Sequence, residues 1–321
     1  MDERHTGLDF IGIGEALIDF ISTAMAASLA SAKKFHAFVG GQPTNLAINL
    51  ALMGKNAALA ACVGCDGFGD LVIQFLERNR VTTQYIQRTD EAPTSISVIA
   101  RNSITPDFII NRGADANLRM TPELEEKITD SRIVHSSAFA LARDPLRSTV
   151  LQGFKIAKLN GCLVTFDPNY HPKTWPDNEQ MIQHLQDVYQ FVDVTKPSLD
   201  DCERIFDQLL SPEAYADRFL DWGASVVLIT KGSEGVYLAT ARDERYEIYP
   251  KDVDVADVTG AGDAFWAGYL AAMMDGSAPL EAARFGQVVA ETKVGVMGPL
   301  SSMPKLNELK ERAGLVKVAQ C

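Results

Sequence analysis

The chain has 321 residues, of which 46% are hydrophobic and 22% charged, a composition typical of a soluble globular protein. Its net charge of −12 argues against binding nucleic acid or an anionic membrane through the overall field. An anionic ligand would therefore need local attraction from helix ends, a few basic side chains or a metal ion. The length allows one large domain or two ordinary ones; we predict a single domain over residues 1–321.

The first residues of the chain and its cysteines indicate in which cell compartment the protein resides. The first residues are polar and do not read as a signal peptide, and no stretch has the length of a membrane span. The cysteines number five, an odd count that favours free thiols in a reducing compartment. We therefore expect a cytoplasmic protein.

The first predicted strand covers residues 8–14 and is followed by acidic residues. Gly12 and Gly14 resemble the start of a dinucleotide fingerprint, but Leu17 stands where its third glycine is needed, which argues against a dehydrogenase. Asp19 comes just after the strand, where open α/β sheets bind ligands. The alternative is that Asp19 is a solvated loop acid.

A glycine pair then precedes a predicted helix. Gly40 and Gly41 allow close backbone approach to a ligand, and Asn45 offers both a donor and an acceptor that suit a polyol. Proline near the start and Gly54 at the end frame the helix at 46–53. The alternative is an ordinary glycine turn with an asparagine inside the helix.

Residues 94–100 and 107–111 have strand composition and predict a hairpin, which residues 35–39 could join as a small sheet outside the main one. Arg112 follows the hairpin. It could meet a carboxylate or phosphate of a substrate, although a surface arginine is the commoner case.

From residue 132 onward, strands alternate with helices, which predicts an α/β fold with a mainly parallel sheet covered on both faces. Functional groups should gather at the carboxyl ends of those strands. Asn169 follows the strand at 162–166, and Lys196 and Ser198 follow the strand at 191–195. Capping of the next helix is an equally good interpretation of Ser198.

A run of small residues opens a further helix after residue 263. The backbone amides of Gly260, Ala261 and Gly262 can approach an anion at the helix N-terminus, where the positive end of the dipole favours phosphate. Asp263 at the same place could accept a proton from a hydroxyl. The alternatives are a helix cap for Asp263 and an ordinary turn for the glycines.

These residues carry a resemblance to a known family. Asp257-Val258-Thr259-Gly260-Ala261-Gly262-Asp263 resembles the C-terminal signature Asp-Thr-x-Gly-Ala-Gly-Asp of the ribokinase-like (PfkB) carbohydrate kinases, with Val258 in place of threonine. The stretch from Gly40 resembles the N-terminal signature Gly-Gly-x-x-x-Asn-x-Ala, with Gln42 where alanine or lysine is commoner. The resemblance extends to about Pro304. It implies a three-layer α-β-α fold with a mainly parallel central sheet and a small β-sheet lid formed by segments at about 15–40 and 93–112.

The resemblance also implies roles for the candidate residues. Asp263 would be the catalytic base, and Gly260, Ala261 and Gly262 the anion hole. The residues expected to bind the sugar are Asp19, Gly40, Gly41, Asn45, Arg112 and Asn169. The residues expected to bind ATP are Lys196, Ser198, Lys231, Gly232, Gly235 and Thr259. Asp201 would hold Mg²⁺ through water, and Asp257 would help to bind a monovalent cation such as K⁺.

The predicted function is ATP-dependent phosphorylation of a primary hydroxyl of a small sugar, with fructose favoured. A 2-keto-3-deoxygluconate kinase is the alternative, in which Arg112 would bind the carboxylate, and a nucleoside kinase is less favoured. A sugar-binding sensor without catalysis is the alternative from another class. We also expect a homodimer formed through the lid.

Overall fold

The computed structural model describes residues 7–102, 107–175, 178–251, 253–256, 258–295 and 306–314. The strands are β1 (Leu8–Ile13), β2 (Leu17–Ser22), β3 (Phe35–Gly40), β4 (Ala57–Gly64), β5 (Ile86–Thr89), β6 (Ile96–Ala100), β7 (Asp107–Asn111), β8 (Ser131–Ser137), β9 (Leu163–Asp167), β10 (Val194–Thr195), β11 (Val226–Thr230), β12 (Val236–Thr240) and β13 (Arg245–Ile248). The helices are α1 (Gln42–Leu52), α2 (Gly67–Arg78), α3 (Pro122–Thr129), α4 (Ala138–Leu141), α5 (Leu146–Leu159), α6 (Asn178–Tyr189), α7 (Leu199–Phe206), α8 (Pro212–Asp221), α9 (Ala261–Met274), α10 (Pro279–Val294) and α11 (Leu306–Arg312).

The main sheet has nine strands in the order β13-β12-β11-β10-β9-β8-β1-β4-β5. Its strands from β11 to β5 pair in parallel, whereas β12 and β13 add an antiparallel edge. The predicted mainly parallel sheet is therefore confirmed. Strands β12 and β13 are not predicted from the sequence, because the residues after β11 have the pattern of a turn that binds nucleotide.

Both faces of the main sheet are buried by helices. All eight residues of β4 are buried, and they alternate between two hydrophobic clusters. Ala58 and Ala60 belong to the first cluster, while Leu59 and Ala61 belong to the second. Because successive side chains of a strand point to opposite faces, the two clusters are the two layers of core on either side of the sheet. This arrangement confirms the predicted three-layer fold.

Helices α9 and α10 pack closely against each other on one face of this sheet. A Cβ on Gly268 would lie 2.7 Å from the Cγ2 of Val289, and a Cβ on Gly286 would lie 2.7 Å from the carbonyl oxygen of Phe265. Only glycine therefore allows the two backbones this approach. The close packing fixes the position of the N-terminus of α9.

A separate four-stranded sheet, here called the lid sheet, has the order β3-β2-β6-β7. It contains the predicted hairpin β6–β7 and the predicted strand near 35–39, which are confirmed as parts of a small separate sheet. Asp19 lies inside β2, a strand that the sequence analysis does not predict. Dimerisation through the lid sheet stays a prediction. Among the described residues, no helix has both the length and the apolar character that a membrane crossing requires.

Candidate active site

A cavity of about 430 Å³ lies between the main sheet and the lid sheet. The carboxyl ends of β1, β9, β10 and β11 point toward it, as expected for a ligand site of a parallel sheet. The lining residues that come from the main sheet and its helices include Glu15, Gln42, Asn45, Asp167, Asn169, Lys196, Ser198, Asp201, Thr230, Gly260, Gly262 and Asp263. The lining residues that come from the lid sheet are Leu17, Asp19, Ser97, Ile99, Phe108 and Ile110.

Asp263 lies in the first turn of α9 and faces this cavity. Its Oδ2 accepts a hydrogen bond of 3.0 Å from the Nδ2 of Asn45, so the two predicted signatures meet although 218 positions separate them. Burial raises the pKa of Asp263, and Lys196 and the Asn45 amide oppose that shift. A carboxylate whose pKa moves toward neutrality is better matched to accepting a proton from a hydroxyl.

The turn before α9 brings two of its three small residues to the cavity. Gly260 has φ of +77°, a left-handed conformation that residues with a Cβ adopt only with strain. Gly260 and Gly262 line the cavity, whereas the Ala261 amide donates to the carbonyl oxygen of Val258 at 3.1 Å. The turn can therefore present backbone to an anion at Gly260 and Gly262, while the Ala261 amide supports the turn itself.

Lys196 provides a cationic side chain in the cavity. Its Nζ lies 3.0 Å from Oδ2 of Asp167, and both side chains are buried. Burial lowers the pKa of Lys196, but the surrounding carboxylates of Asp167, Asp201 and Asp263 outweigh this effect, and the net shift is upward. The lysine therefore keeps its proton and can attract a phosphate group at neutral pH.

Behind this ion pair lies a buried polar chain that the sequence analysis misses. Gln42 Nε2 donates to Asp167 Oδ2 at 3.2 Å, and Gln42 Oε1 lies 2.8 Å from Nε2 of His135. The other ring nitrogen of His135 lies 2.9 Å from the hydroxyl of Thr165. Burial and the nearby Lys196 lower the pKa of His135 to about 3, so the ring is neutral. It must then donate from Nε2 to Gln42, which fixes the orientation of that amide.

Near the lid sheet, the cavity is lined by two further carboxylates, the buried Glu15 and the half-buried Asp19. Asp19 accepts a short hydrogen bond from the Ser97 hydroxyl, and its other oxygen lies so close to Gly40 that a Cβ there would clash with it. Burial raises the pKa of Asp19 to about 6. Glu15 accepts from the backbone amide of Gln42 at 2.9 Å, and burial raises its pKa to about 7. This end of the cavity therefore offers hydrogen-bond acceptors, which suit the hydroxyl groups of a sugar.

Asp201 and Ser198 form a reciprocal cap at the start of α7. Oδ2 of Asp201 accepts from both the amide and the hydroxyl of Ser198, and its Oδ1 accepts from the amide of Tyr170 at 2.8 Å. Both predicted roles of Ser198 stay compatible with this geometry, because the residue caps the helix and also lines the cavity.

The donor set fits Mg²⁺ bound with a nucleotide better than a dedicated metal site. A carboxylate has about four acceptor positions, so three hydrogen bonds leave Asp201 able to accept one more from a metal-bound water. Among the described residues, no group of three or more His, Cys, Asp or Glu could enclose a metal ion. Mg²⁺ commonly retains several waters and binds through one or two carboxylates and substrate phosphates, which suits this arrangement.

Arg112 was expected either to bind a substrate anion or to lie at the surface, and its position in the structure fits neither expectation. Its guanidinium is buried, pairs with Asp115 and donates to the carbonyl oxygen of Phe139 at 2.8 Å. It also lies 4.0 Å from the centroid of the Phe139 ring. Arg112 is therefore neither a surface residue nor a lining residue of the cavity, and three hydrogen bonds hold its guanidinium to Asp115 and Phe139. It supports the wall of the cavity through Phe139, which does line it.

Other predicted residues lie outside the cavity lining. Lys231, Gly232 and Gly235 form the turn between β11 and β12, where Lys231 pairs with Glu247 at 2.6 Å. Thr259 lies in the turn just before Gly260. Their roles in nucleotide binding stay predictions. Asp257 lies outside the described residues, so its expected part in binding a monovalent cation stays a prediction.

Several residues in or behind the cavity that sequence reasoning missed carry different amounts of signal. Gln42 and Asp167 lie beside predicted residues, and Gln42 already departs from the usual residue of its motif. Ser97 and Phe108 carry only the alternation of a strand, which shows that they share a face with other residues but not what that face contacts. His135 gives no signal, because a lone histidine in a buried strand is most often part of the core.

Comparison with known proteins gives a consistent result. Residues 9–306 match the family described as pfkB family carbohydrate kinase. An ATP-dependent 6-phosphofructokinase from Thermoanaerobacterium thermosaccharolyticum is 31% identical over 310 residues, which cover 97% of this chain and 95% of that protein. The structure of Halothermothrix orenii fructokinase is similar with a TM-score of 0.77 and 32% identity, over 91% of this chain and 99% of that chain.

A third similar protein bears on the nucleotide. It is an uncharacterized sugar kinase from Pyrococcus horikoshii in complex with ATP, with a TM-score of 0.82 and 28% identity over 94% of this chain and 97% of that chain. The family match covers both signature regions and the whole cavity described above. The chain therefore belongs to the pfkB family of carbohydrate kinases, and it is a phosphotransferase that acts on a sugar hydroxyl.

Proposed function

We propose that this protein transfers the γ-phosphoryl group of ATP to a primary hydroxyl of a small sugar, and that fructose is the first acceptor to test. The observation that carries the proposal is the position of Asp263. It lies at the N-terminus of α9, within hydrogen-bond distance of Asn45, in the same cavity as Lys196 and the Gly260–Gly262 turn. A base, a fixed cation and a backbone site for an anion therefore face one space.

The reaction follows from this arrangement. The sugar hydroxyl gives its proton to a carboxylate oxygen of Asp263 as its oxygen bonds to the γ-phosphorus, and the bond from that phosphorus to the β–γ bridging oxygen breaks, releasing ADP. Lys196, the glycine backbone and the dipole of α9 offset the negative charge of the phosphoryl oxygens. Mg²⁺ bound with ATP would neutralise further phosphate charge, and Asp201 would contact it through water.

The part of the cavity lined by Glu15, Asp19, Asn45 and Asn169 is here called the sugar end. Its chemistry favours a neutral polyol. Asp19 and Glu15 are acceptors, Asn45 and Asn169 can both donate and accept, and no arginine among the described residues lines this end. A 2-keto acid would bring its carboxylate among carboxylates, while Arg112 is held by Asp115. The similarity to a fructokinase at 32% identity supports fructose as the acceptor.

A phosphorylated fructose is a second candidate, favoured by the Lys173 ammonium and the neutral His171 ring beside Phe108. The ring of His171 lies 4.5 Å from that of Phe108, and Nζ of Lys173 lies 4.8 Å from the same ring. Phe108 lines the cavity, so an acceptor long enough to pass it would bring a phosphate near these two side chains. The similar protein named as a 6-phosphofructokinase supports this candidate.

The test is ADP release by the purified protein with Mg-ATP and a panel of acceptors: fructose, fructose 6-phosphate, 2-keto-3-deoxygluconate, ribose and adenosine. Proton-coupled ³¹P NMR of the product would identify the esterified oxygen. We expect the highest kcat/KM with fructose. Preference for fructose 6-phosphate would select the second candidate. Binding of a sugar in calorimetry without ADP release would instead support the sensor interpretation and contradict the proposal.

A further inference from the structure

The proposed reaction makes no use of one buried polar side chain. His135 lies in β8 and is fully buried. Its ring centroid lies 5.8 Å from that of Phe10 in β1 and 6.2 Å from that of Trp266 in α9. An apolar side chain would fill this space without needing hydrogen bonds, whereas a buried imidazole needs a partner for each nitrogen. Both ring nitrogens have such a partner, and one of these partners lines the cavity.

The position of the Lys196 ammonium depends on Asp167. Nζ of Lys196 lies 3.8 Å from the position that a Cβ on Gly262 would occupy, next to the turn that can present backbone to an anion. The stem of a lysine is a flexible chain of methylene groups, so a fixed partner is needed to hold the ammonium in one place. Among the described residues, Asp167 is the only carboxylate that forms an ion pair with it, at 3.0 Å. Groups that orient Asp167 therefore also orient Lys196.

Two donors besides Lys196 orient the Asp167 carboxylate. The backbone amide of Asn169 donates to its Oδ1 at 3.1 Å, and Nε2 of Gln42 donates to its Oδ2 at 3.2 Å. Burial raises the pKa of Asp167 to about 7, although Lys196 opposes the shift. The carboxylate is thus only narrowly held in its charged form at neutral pH, so each donor helps to keep the charge with which Lys196 pairs.

The Gln42 amide can act as this donor in only one of its two orientations. The reverse orientation would turn its carbonyl oxygen toward the Asp167 carboxylate, which repels it. His135 selects the orientation, because its Nε2 lies 2.8 Å from Oε1 of Gln42 and donates to it. Its Nδ1 then accepts from the Thr165 hydroxyl at 2.9 Å. The observed arrangement from Thr165 to Lys196 therefore requires the proton of His135 on Nε2.

We propose that His135 is a positioning residue for phosphoryl transfer. Acting through Gln42 and Asp167, it holds the ammonium of Lys196 beside the Gly260–Gly262 turn, where that charge offsets the charge of the transferring phosphoryl group. His135 is not a lining residue of the cavity, so its effect has to pass through these side chains. This inference rests on the proposed phosphoryl transfer, but not on which sugar accepts the group.

The first experiment compares His135→Gln with His135→Met. The two new side chains have similar length and volume, but only glutamine can donate a hydrogen bond toward Oε1 of Gln42. With the best acceptor from the panel, His135→Met should lower kcat by about 10-fold and change the KM of the sugar by less than about 3-fold. His135→Gln should keep kcat within about 3-fold of the wild type. Equal kcat values of the two variants would overturn the proposal, because a side chain that only fills the core needs no donor.

A second measurement tests the route through Lys196. His135→Met is combined with Lys196→Met, and kcat of the double variant is compared with that of Lys196→Met alone. Replacements within one hydrogen-bond network are not additive, so the added His135→Met should lower kcat by less than about 2-fold. A further loss of about 10-fold would show that His135 does not act through Lys196, which would overturn the proposal.

The proton of His135 can also be located without replacing that residue, which decides the case if both variants fail to fold. Long-range ¹H–¹⁵N NMR of the protein labelled with ¹⁵N-histidine distinguishes the two neutral tautomers. Thr165→Val removes the hydroxyl near Nδ1 and identifies the His135 signal by its shift. Thr149→Val is the matched control, because it removes a buried hydroxyl that donates to the carbonyl oxygen of Leu118. We expect the tautomer with the proton on Nε2, and a proton on Nδ1 would overturn the proposal.

The outcomes also separate this inference from the proposed function. ADP release with none of the acceptors would refute phosphoryl transfer, and the role of His135 would fall with it. Acceptor-dependent ADP release by the wild type, together with equal kcat values of His135→Gln and His135→Met, would refute only the role of His135.

Discussion

The two ends of the cavity are built in different ways. At the phosphoryl end, Gly260, Gly262 and Asp263 come from one short stretch at the start of α9 and are held by a tightly packed helix pair. At the sugar end, Asp19, Ser97 and other lining residues come from separate strands of the lid sheet. The first end depends on local backbone geometry, and the second depends on the pairing of distant segments.

This difference suggests how the two ends should respond to mutation. Changes at the phosphoryl end remove charges or donors that act on the reacting atoms, so they should appear mainly in kcat. Changes at the lid sheet alter contacts to the rest of the sugar, so they should appear mainly in KM. The following predictions test this division in order of decreasing effect.

The largest effect is expected for Asp263→Asn, which removes the proposed base while keeping the shape of the side chain. We expect kcat to fall by about 10²–10⁴-fold, because an amide cannot accept the proton of the hydroxyl. Calorimetry should show sugar binding close to that of the wild type. Asp200→Asn is the matched control, because Asp200 is an exposed carboxylate paired with Arg204. Full activity of Asp263→Asn would refute the assignment of the base.

A smaller loss is expected for Lys196→Met. We expect kcat with Mg-ATP to fall by about 10²–10³-fold, because the cation near the phosphoryl group is lost. The variant should also unfold at a lower temperature, since Asp167 would remain buried without its cationic partner.

The control for this variant is Lys158→Met, which removes a lysine from a surface ion pair with Asp193. Surface ion pairs contribute little to stability, so the control should differ little from the wild type in both measurements. A Lys196→Met variant with normal kcat would show that the phosphoryl end does not depend on this charge.

Gly40→Ala tests the sugar end. A new Cβ would clash with the Asp19 carboxylate and displace it, so we expect the KM of the sugar to rise about 10-fold with kcat little changed. Steady-state kinetics with the best acceptor would measure both parameters. Gly67→Ala is the control, because a Cβ at Gly67 meets only open space. A fall in kcat without a change in KM would contradict the proposed division between the two ends.

The smallest effect concerns the pH dependence of stability through Glu15. Its pKa of about 7 in the folded protein lies above the ordinary value of 4.5. Between these two values the folded chain retains a proton that the unfolded chain has released, so this group makes the fold less stable as pH rises. In the Glu15→Gln variant, the side chain at position 15 is an amide and does not titrate. The stability of this variant relative to the wild type should therefore increase from pH 5 to pH 8 by an amount on the order of 2 kcal/mol.

Urea unfolding of both proteins at pH 5 and pH 8 would measure this change in free energy of unfolding. Asp19 and Asp167 titrate in both proteins, so the difference between the two curves isolates Glu15. An equal difference at the two pH values would show that Glu15 is ionised throughout the range in the folded protein.

Much of the architecture could be predicted from the sequence by itself. The alternation of apolar strands with helices predicts the parallel sheet, and the frame of proline and glycine predicts α1. The glycine turn before α9 and the acid that follows it are contiguous, so local backbone geometry is enough to associate Asp263 with a site for an anion. These features depend on neighbours in the chain, which a sequence shows directly.

Only the tertiary structure decided which distant residues meet. In the folded chain, Asn45 donates a hydrogen bond to Asp263, and Ser97 donates one to Asp19. Arg112 pairs with Asp115 and does not reach the cavity. Helix packing also brought the Cε of Lys293 in α10 to 3.8 Å from the position that a Cβ on Gly260 would occupy, which no local pattern indicates. The physical reason is that strand pairing and helix packing set these distances. A sequence shows which side chains share a face of an element, but the partner of that face is fixed only when the elements pack together.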